Sequence, residues 1–162
     1  MTPDILLNEL EKFFTERLQD VKCPVKTKDG EPQYRGLKNF KQTVPSKTTQ
    51  AENAPYLLLQ VVKGEDRREN RDGKSGLMSS TCDIRIVAVA YNEDESEGSL
   101  QILDLITRIR IELEKTVIIG EKFQLEMPLE YLIYTDETAP YYVAEMMTTW
   151  QIPTVEWEIS CT

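Results

Sequence analysis

CDIRIVAVAYNEDESEGSLQILDLITRIRIELEK, residues 82–115, is the stretch that decides the fold. Its first ten residues alternate as a strand does. Cys82, Ile84, Ile86, Ala88 and Ala90 fall on one side. Thr81, Asp83 and Arg85 fall on the other, which turns apolar from Val87 to Tyr91. The acidic NEDESEG, residues 92–98, is a turn into a helix, which Ser96 or Ser99 can cap. Over 99–116, Leu103, Ile106, Arg110, Leu113 and Val117 mark one helical face, widened by Ile102 and Ile109. The aliphatic stem of Arg110 can lie along that stripe. Gly120 stops the element. A strand and a helix that each bury one face call for a layer of helix against sheet.

Working outward, Tyr56 to Val62 (YLLLQVV) follows Pro55 and hardly alternates, which predicts a strand covered on both faces. With Met78–Tyr91 it makes a long hairpin. Between them, residues 63–77 form a protruding, mixed-charge, Gly-punctuated loop. Thr2-Pro3-Asp4 opens an N-terminal helix, with Thr2 as cap, and Leu6, Leu10, Phe13, Phe14 and Leu18 share its face. The helix should run to about Asp20 and end before Pro24. Residues 22–54 hold six lysines and Pro24, Pro32 and Pro45. They read as an irregular arm, with short strands around Tyr34 and Phe40, that is either a solvated loop, mobile, or laid on a neighbouring subunit. Towards the C-terminus come strands over 122–127 and 129–134, with a bend or an edge at Pro128. The turn at 135–140 leads into a last strand, 142–152, which Pro153 ends or bulges; 155–159 extend it. The expected fold is one α+β domain over 1–162, in the order α-β-β-α-β-β-β. Two helices pack on one face of a mixed, mostly antiparallel sheet.

The chain carries 28 acidic and 19 basic residues, a formal net charge of −9, which disfavours binding by phosphate neutralisation. Its 40% hydrophobic content is too high for a disordered chain. The three cysteines, Cys23, Cys82 and Cys161, are scattered, with no CxxC; with no signal-peptide pattern this favours a reducing compartment. No apolar run approaches the ~18–20 residues of a membrane span. Histidine is absent, which removes the commonest general base and the commonest zinc ligand. Phosphate-cradle, dinucleotide, zinc-protease and nucleophile-elbow motifs are missing too.

The acids Glu93, Asp94, Glu95 and Glu97 fail the EF-hand template, since Glu97 stands at its sixth position and Leu103 at its twelfth. They read as a solvated helix opening, and no metal or cofactor is expected. Glu65, Asp66, Arg67, Arg68, Glu69, Arg71 and Asp72 mix both signs too closely for a phosphate site and fit either ion pairing between subunits or solvation. Trp150 and Trp157 read either as core or as anchors at a protein interface, where Trp, Tyr and Met are enriched. An enzyme or ligand-binding domain would need a pocket, for which Asp83, Arg85 and Glu145 are the candidate lining.

Three segments carry a family likeness: APYLLLQVVKGEDRRE (54–69), the strand–turn–helix run 82–115, and KFQLEMPLEYLIYTDETAPYYVAEMMTTWQIPTVEWE (122–158). In their order and texture the chain resembles the phage tail terminator proteins, grouped with tail-completion and minor tail proteins of long-tailed bacteriophages and prophages. The resemblance implies a structural virion protein of the tail and neck, assembled in the host cytoplasm and without enzymatic activity. It implies a homo-oligomeric ring, usually a hexamer, that caps the tail tube protein and ends polymerisation. The ring would present an interface to the head–tail connector and let DNA through its lumen unread. On that view Glu65–Asp72, Trp150 and Trp157 serve subunit or partner contacts. The alternatives are a head–tail adaptor of the neck and, remotely, a cytosolic ligand-binding or enzymatic domain.

Overall fold

The structure is a computed structural model that describes residues 3–28, 30–31, 33–68, 78–135 and 139–154. Helix α1 (Pro3–Arg17) is followed by β1 (Cys23–Val25), β2 (Gln33–Arg35), β3 (Lys38–Lys41) and the one-turn helix α2 (Gln50–Asn53). The long strands β4 (Tyr56–Arg68) and β5 (Met78–Tyr91) come next, then α3 (Glu95–Thr116). The chain closes with β6 (Ile118–Ile119), β7 (Phe123–Ile133) and β8 (Tyr141–Ile152). Six strands form one sheet in the order β3-β4-β5-β8-β7-β6, and β1 and β2 pair separately. Among the described strands only the β3–β4 pair is parallel; the other pairs are antiparallel. The α+β class, with helices on a mixed and mostly antiparallel sheet, is therefore observed.

The alternation read in 82–90 builds the core. Cys82, Ile84, Ile86, Ala88 and Ala90 are all buried. They meet Trp150, Thr148, Met146, Ala144 and Tyr142 of β8 in register. Leu57 and Leu59 lie beside Ala88 and Ile86 on the same face. Against that face pack α1, through Leu6, Leu7, Leu10, Phe13 and Phe14, and α3, through Ile102, Leu105, Ile106, Ile109 and Leu113. The opposite face holds a smaller cluster, Ala54, Val89 and Tyr91, with Tyr56, Val87, Tyr141 and Val143 packed around it. The apolar turn of β5 from Val87 onward thus has its own partner surface. Within β4 only Leu57 and Leu59 are fully buried, on the helix side; Tyr56, Leu58, Gln60 and Val61 are half-covered, and from Val62 onward the strand is mostly exposed.

Several expectations change. In the arm at 22–54 the short strands expected around Tyr34 and Phe40 are present as β2 and β3, which join the arm to the domain, while residues 42–49 are irregular and mostly exposed. β3 extends the sheet edge, and Cys23 is buried. The Arg35 guanidinium donates to the carbonyls of Glu52 (3.2 Å) and Asn53 (2.6 Å). Thr49 caps α2 with a complete capping box. Helix α3 begins at Glu95, so neither Ser96 nor Ser99 is its cap. Asp94 is, accepting from the Glu97 amide at 3.0 Å. Leu103 lies off the buried face, whose stripe runs through Leu105 instead. The two strands expected on either side of Pro128 are one strand, β7, with a register shift between Glu126 and Glu130. The proposed cap Thr2, the loop tip 69–77 and the extension 155–159 lie outside the described residues.

Candidate functional site

The charged hairpin is strand, not loop, as far as Arg68. β4 and β5 stay paired from Tyr56↔Val89 out to Arg68↔Met78, with a bulge between Val61 and Lys63. Along the helix-free face, Lys63, Glu65 and Arg67 follow one another at strand spacing. Glu65 takes ion pairs from both Arg67 and Lys63. The guanidinium of Arg67, first of all, lowers the Glu65 carboxyl below its ordinary range. Asp66 points to the other face and accepts from the Ser80 hydroxyl. These charges are thus at least partly satisfied within the hairpin itself. On the outer edge of β4, β3 ends at Lys41. Gln42 then covers one more step, its amide donating to the Leu59 carbonyl (2.8 Å) and its side chain accepting from the Val61 amide (2.6 Å). Beyond Val61 no described strand pairs with that edge. Glu69, Arg71, Asp72 and Trp157 lie outside the described residues.

Trp150 takes the core alternative. It is 0% exposed, and its indole Nε1 donates to Thr148 Oγ1 at 2.8 Å. The Thr148 hydroxyl in turn donates to the Ile84 carbonyl at 2.9 Å. A side chain sealed this way has no surface with which to anchor a partner. Asp83, Arg85 and Glu145 share the helix-free face but lie side by side on it. Arg85 pairs with Glu145 at 3.0 Å, the Tyr134 hydroxyl donates to Glu145 at 2.9 Å, and Asp83 accepts from Thr149 at 2.8 Å. Of the three, Glu145 alone lines the open groove along β7, with Leu129, Glu130, Tyr131, Leu132 and Met147. The acids of 93–97 act as a helix opening: Asp94 is the cap and Glu93 accepts from the Tyr91 hydroxyl at 2.7 Å. Burial first, and then Glu93, push the Tyr91 phenol up to about 12. Among the described residues no group of Cys, Asp and Glu is arranged to hold a metal ion. No described helix is long and apolar enough to cross a membrane.

Sequence reasoning placed a bend or an edge at Pro128 but did not name the side chains that the β7 edge exposes. Met127 is 61% exposed, Leu132 55%, Tyr131 47% and Tyr134 38%. Arg110 of α3 sits over the Tyr131 ring at 5.5 Å, and its buried Nε has no hydrogen-bond partner among the described residues. β6 covers β7 at Phe123 and Gln124 and the Leu125 amide donates to the Val117 carbonyl (2.7 Å), so the edge is open among the described strands only beyond Leu125. Pro128 was the available signal, because proline inside a strand points to an edge or a bulge. Composition alone could not say which side chains the bulge would turn outward.

A comparison with family models finds no match, and a comparison with curated proteins finds none either.

Proposed function

We propose that this chain is a non-enzymatic structural virion protein that assembles into a ring, caps a phage tail tube and ends its polymerisation. The ring also offers a surface to the head connector. The observation that carries the reading is the pair of unlike edges on one sheet. At one side stands a long charged hairpin, Lys63–Arg68 against Met78–Asp83. At the other lies a strand exposing Met127, Tyr131 and Leu132, with Tyr134 just beyond its end. Exposed apolar patches on open edges mark protein contact surfaces. Unlike surfaces on one subunit are what a head-to-tail ring requires. The three sequence segments resembling tail terminators give that assembly its context. A net charge of −9 per subunit, repeated around a lumen, disfavours adhesion of DNA.

The test mixes the purified chain with polymerising tail tube protein and follows tube length by electron microscopy. Short tubes with this chain at one end are expected. Tubes that grow to the same length with and without it would sink the reading. Binding to the connector with unaltered tube growth would assign the chain to the adaptors of the neck instead.

A further inference from the structure

We infer that the open β7 edge receives the distal β4–β5 arm of a second copy of this chain, edge to edge. The inference deepens the ring reading above and rests on it only for the identity of the partner.

Four observations carry it. First, the β7 edge has the makings of an energetic centre: two tyrosines, a methionine and a leucine are exposed, with an arginine stacked on one of the rings. Tyr, Met and Arg are the residues enriched at protein interfaces. The Arg110 Nε, without a partner among the described residues, is a donor that an incoming group could satisfy.

Second, the charges are complementary. The register shift in β7 removes two ladder steps, so Glu126 lies opposite Thr149 while Glu130 lies opposite Met147. Two carboxylates are thereby drawn together on the helix-free face. On that same face, the arm presents Lys63 and Arg67 either side of Glu65. An anionic edge thus meets the outer strand of the arm, on which two cations flank one carboxylate, while Asp83 on the inner strand β5 balances the charge of the arm as a whole. Val62, 48% exposed at the arm's bulge, adds an apolar contact to match Leu132.

Third, the strand senses agree. β4, β5, β8 and β7 alternate in direction, so β4 and β7 of one chain run oppositely. Setting the next copy beside β7 with its helices on the same side therefore brings β4 alongside in antiparallel sense. Antiparallel neighbours keep each strand's two faces in step.

Fourth, both edges are open at matching ends. β6 blocks the start of β7 and β3 blocks the start of β4. In antiparallel sense, a stagger along the strand direction sets the two free segments opposite each other, with β6 and β3 flanking the contact. Pro128 has no amide hydrogen, so main-chain pairing is confined to residues after the bulge. Side chains supply the rest of the contact. An edge that bulges and carries carboxylates discourages indiscriminate strand addition while admitting a partner of matching charge.

The experiment measures the mass of the full chain by light scattering over a range of concentrations. The wild type should exceed its monomer mass, and a strictly monomeric chain at the highest concentration would overturn the inference. Leu132→Asp should weaken association by ~tenfold or more with an unchanged melting temperature; association as tight as wild type would overturn it. Two charge-reversed chains, one E126K/E130K and the other K63E/R67E, should each dissociate alone and associate when mixed. A mixture that stays monomeric would rule out the arm as occupant, and this pair decides the matter should Leu132→Asp fail to fold. Adding tail tube protein separates this inference from the reading beneath it. A dissociated Leu132→Asp chain that still halts tubes leaves the inter-copy contact intact and refutes the ring as the cap. A wild-type monomer that halts tubes does the reverse.

Discussion

Gly98 shows how a single hydrogen can matter more than a propensity. It lies in the first turns of α3, where alanine would ordinarily gain ~0.5–1 kcal/mol over glycine. Here a Cβ would stand 2.1 Å from Cε2 of Tyr142, a ring buried between helix and sheet whose hydroxyl reaches the Glu95 carbonyl. Gly98→Ala should therefore lower stability by ~1–3 kcal/mol, as overpacking does. Chemical denaturation would show it, and a stabilised variant would mean the ring can swing aside at no cost. Nothing in the sequence around Gly98 announces that contact, because Tyr142 is more than forty positions away. Trp150 is a parallel case. Its placement with Met146 on one strand face was legible, but the choice between core and surface was not. That choice was made by the helix layer that seals the face.

Among the elements, α3 was the most legible and its start the least. The periodic stripe gave Ile102, Ile106, Ile109 and Leu113 correctly, yet the helix begins at Glu95, before the stripe does. Several residues of 92–99 can cap, and the chain uses Asp94. Asn92 explains part of that choice, since its side chain accepts from the Asp94 amide (2.9 Å) and donates to Gln101 (3.1 Å). Asp94→Ala should cost ~0.5–2 kcal/mol, while Ser96→Ala and Ser99→Ala should change little. Thermal melts of the three variants check this, and equal losses would return the cap to the serines. The arm at 22–54 was legible only in part: the short strands around Tyr34 and Phe40 are there as β2 and β3, but their partners in the fold could not be read. Its strands are only three or four residues long, too short to show a period. What holds them is distant: the parallel ladder with β4, and Arg35 gripping the end of α2.

Across the assembled domain, the two helices are tied by charge as well as by the core. Glu112 of α3 is buried, with Arg17 at 3.7 Å, Arg108 at 3.3 Å and Lys115 at 3.8 Å around it. Arg108 also forks onto Asp20 at 3.0 and 2.9 Å, fastening the turn after α1. That hydrogen-bonded guanidinium holds the Asp20 carboxyl below its ordinary range. A lowered folded-state value means the contribution is present above the unfolded carboxylate range. It is lost as pH falls through the lower folded one. Asp20→Asn should therefore melt slightly below wild type at neutral pH, and the gap should close in acid. The effect should be small and should shrink with salt, because the pair is exposed. Melting temperatures across pH test it, and a gap that persists or widens in acid would contradict the sign. At this level too, the unlike edges of the sheet set what the domain can join.

The sequence by itself determined which strand faces and helix stripes are apolar, because burial leaves a period of two or 3.6 that local reading detects. It therefore determined the α+β class, the long β4–β5 hairpin and the helix-covered face of β5. Only the tertiary structure decided what those faces meet. It joined β3 to β4 in parallel, brought Tyr142 against Gly98, and sealed Trp150 away from any partner. It also opened the β7 edge, turning Met127, Tyr131 and Leu132 outward. These outcomes depend on contacts between residues far apart along the chain, and on a bulge whose direction the pairing with β8 sets. Exposure is a property of the neighbours that fail to arrive, which no window of sequence records.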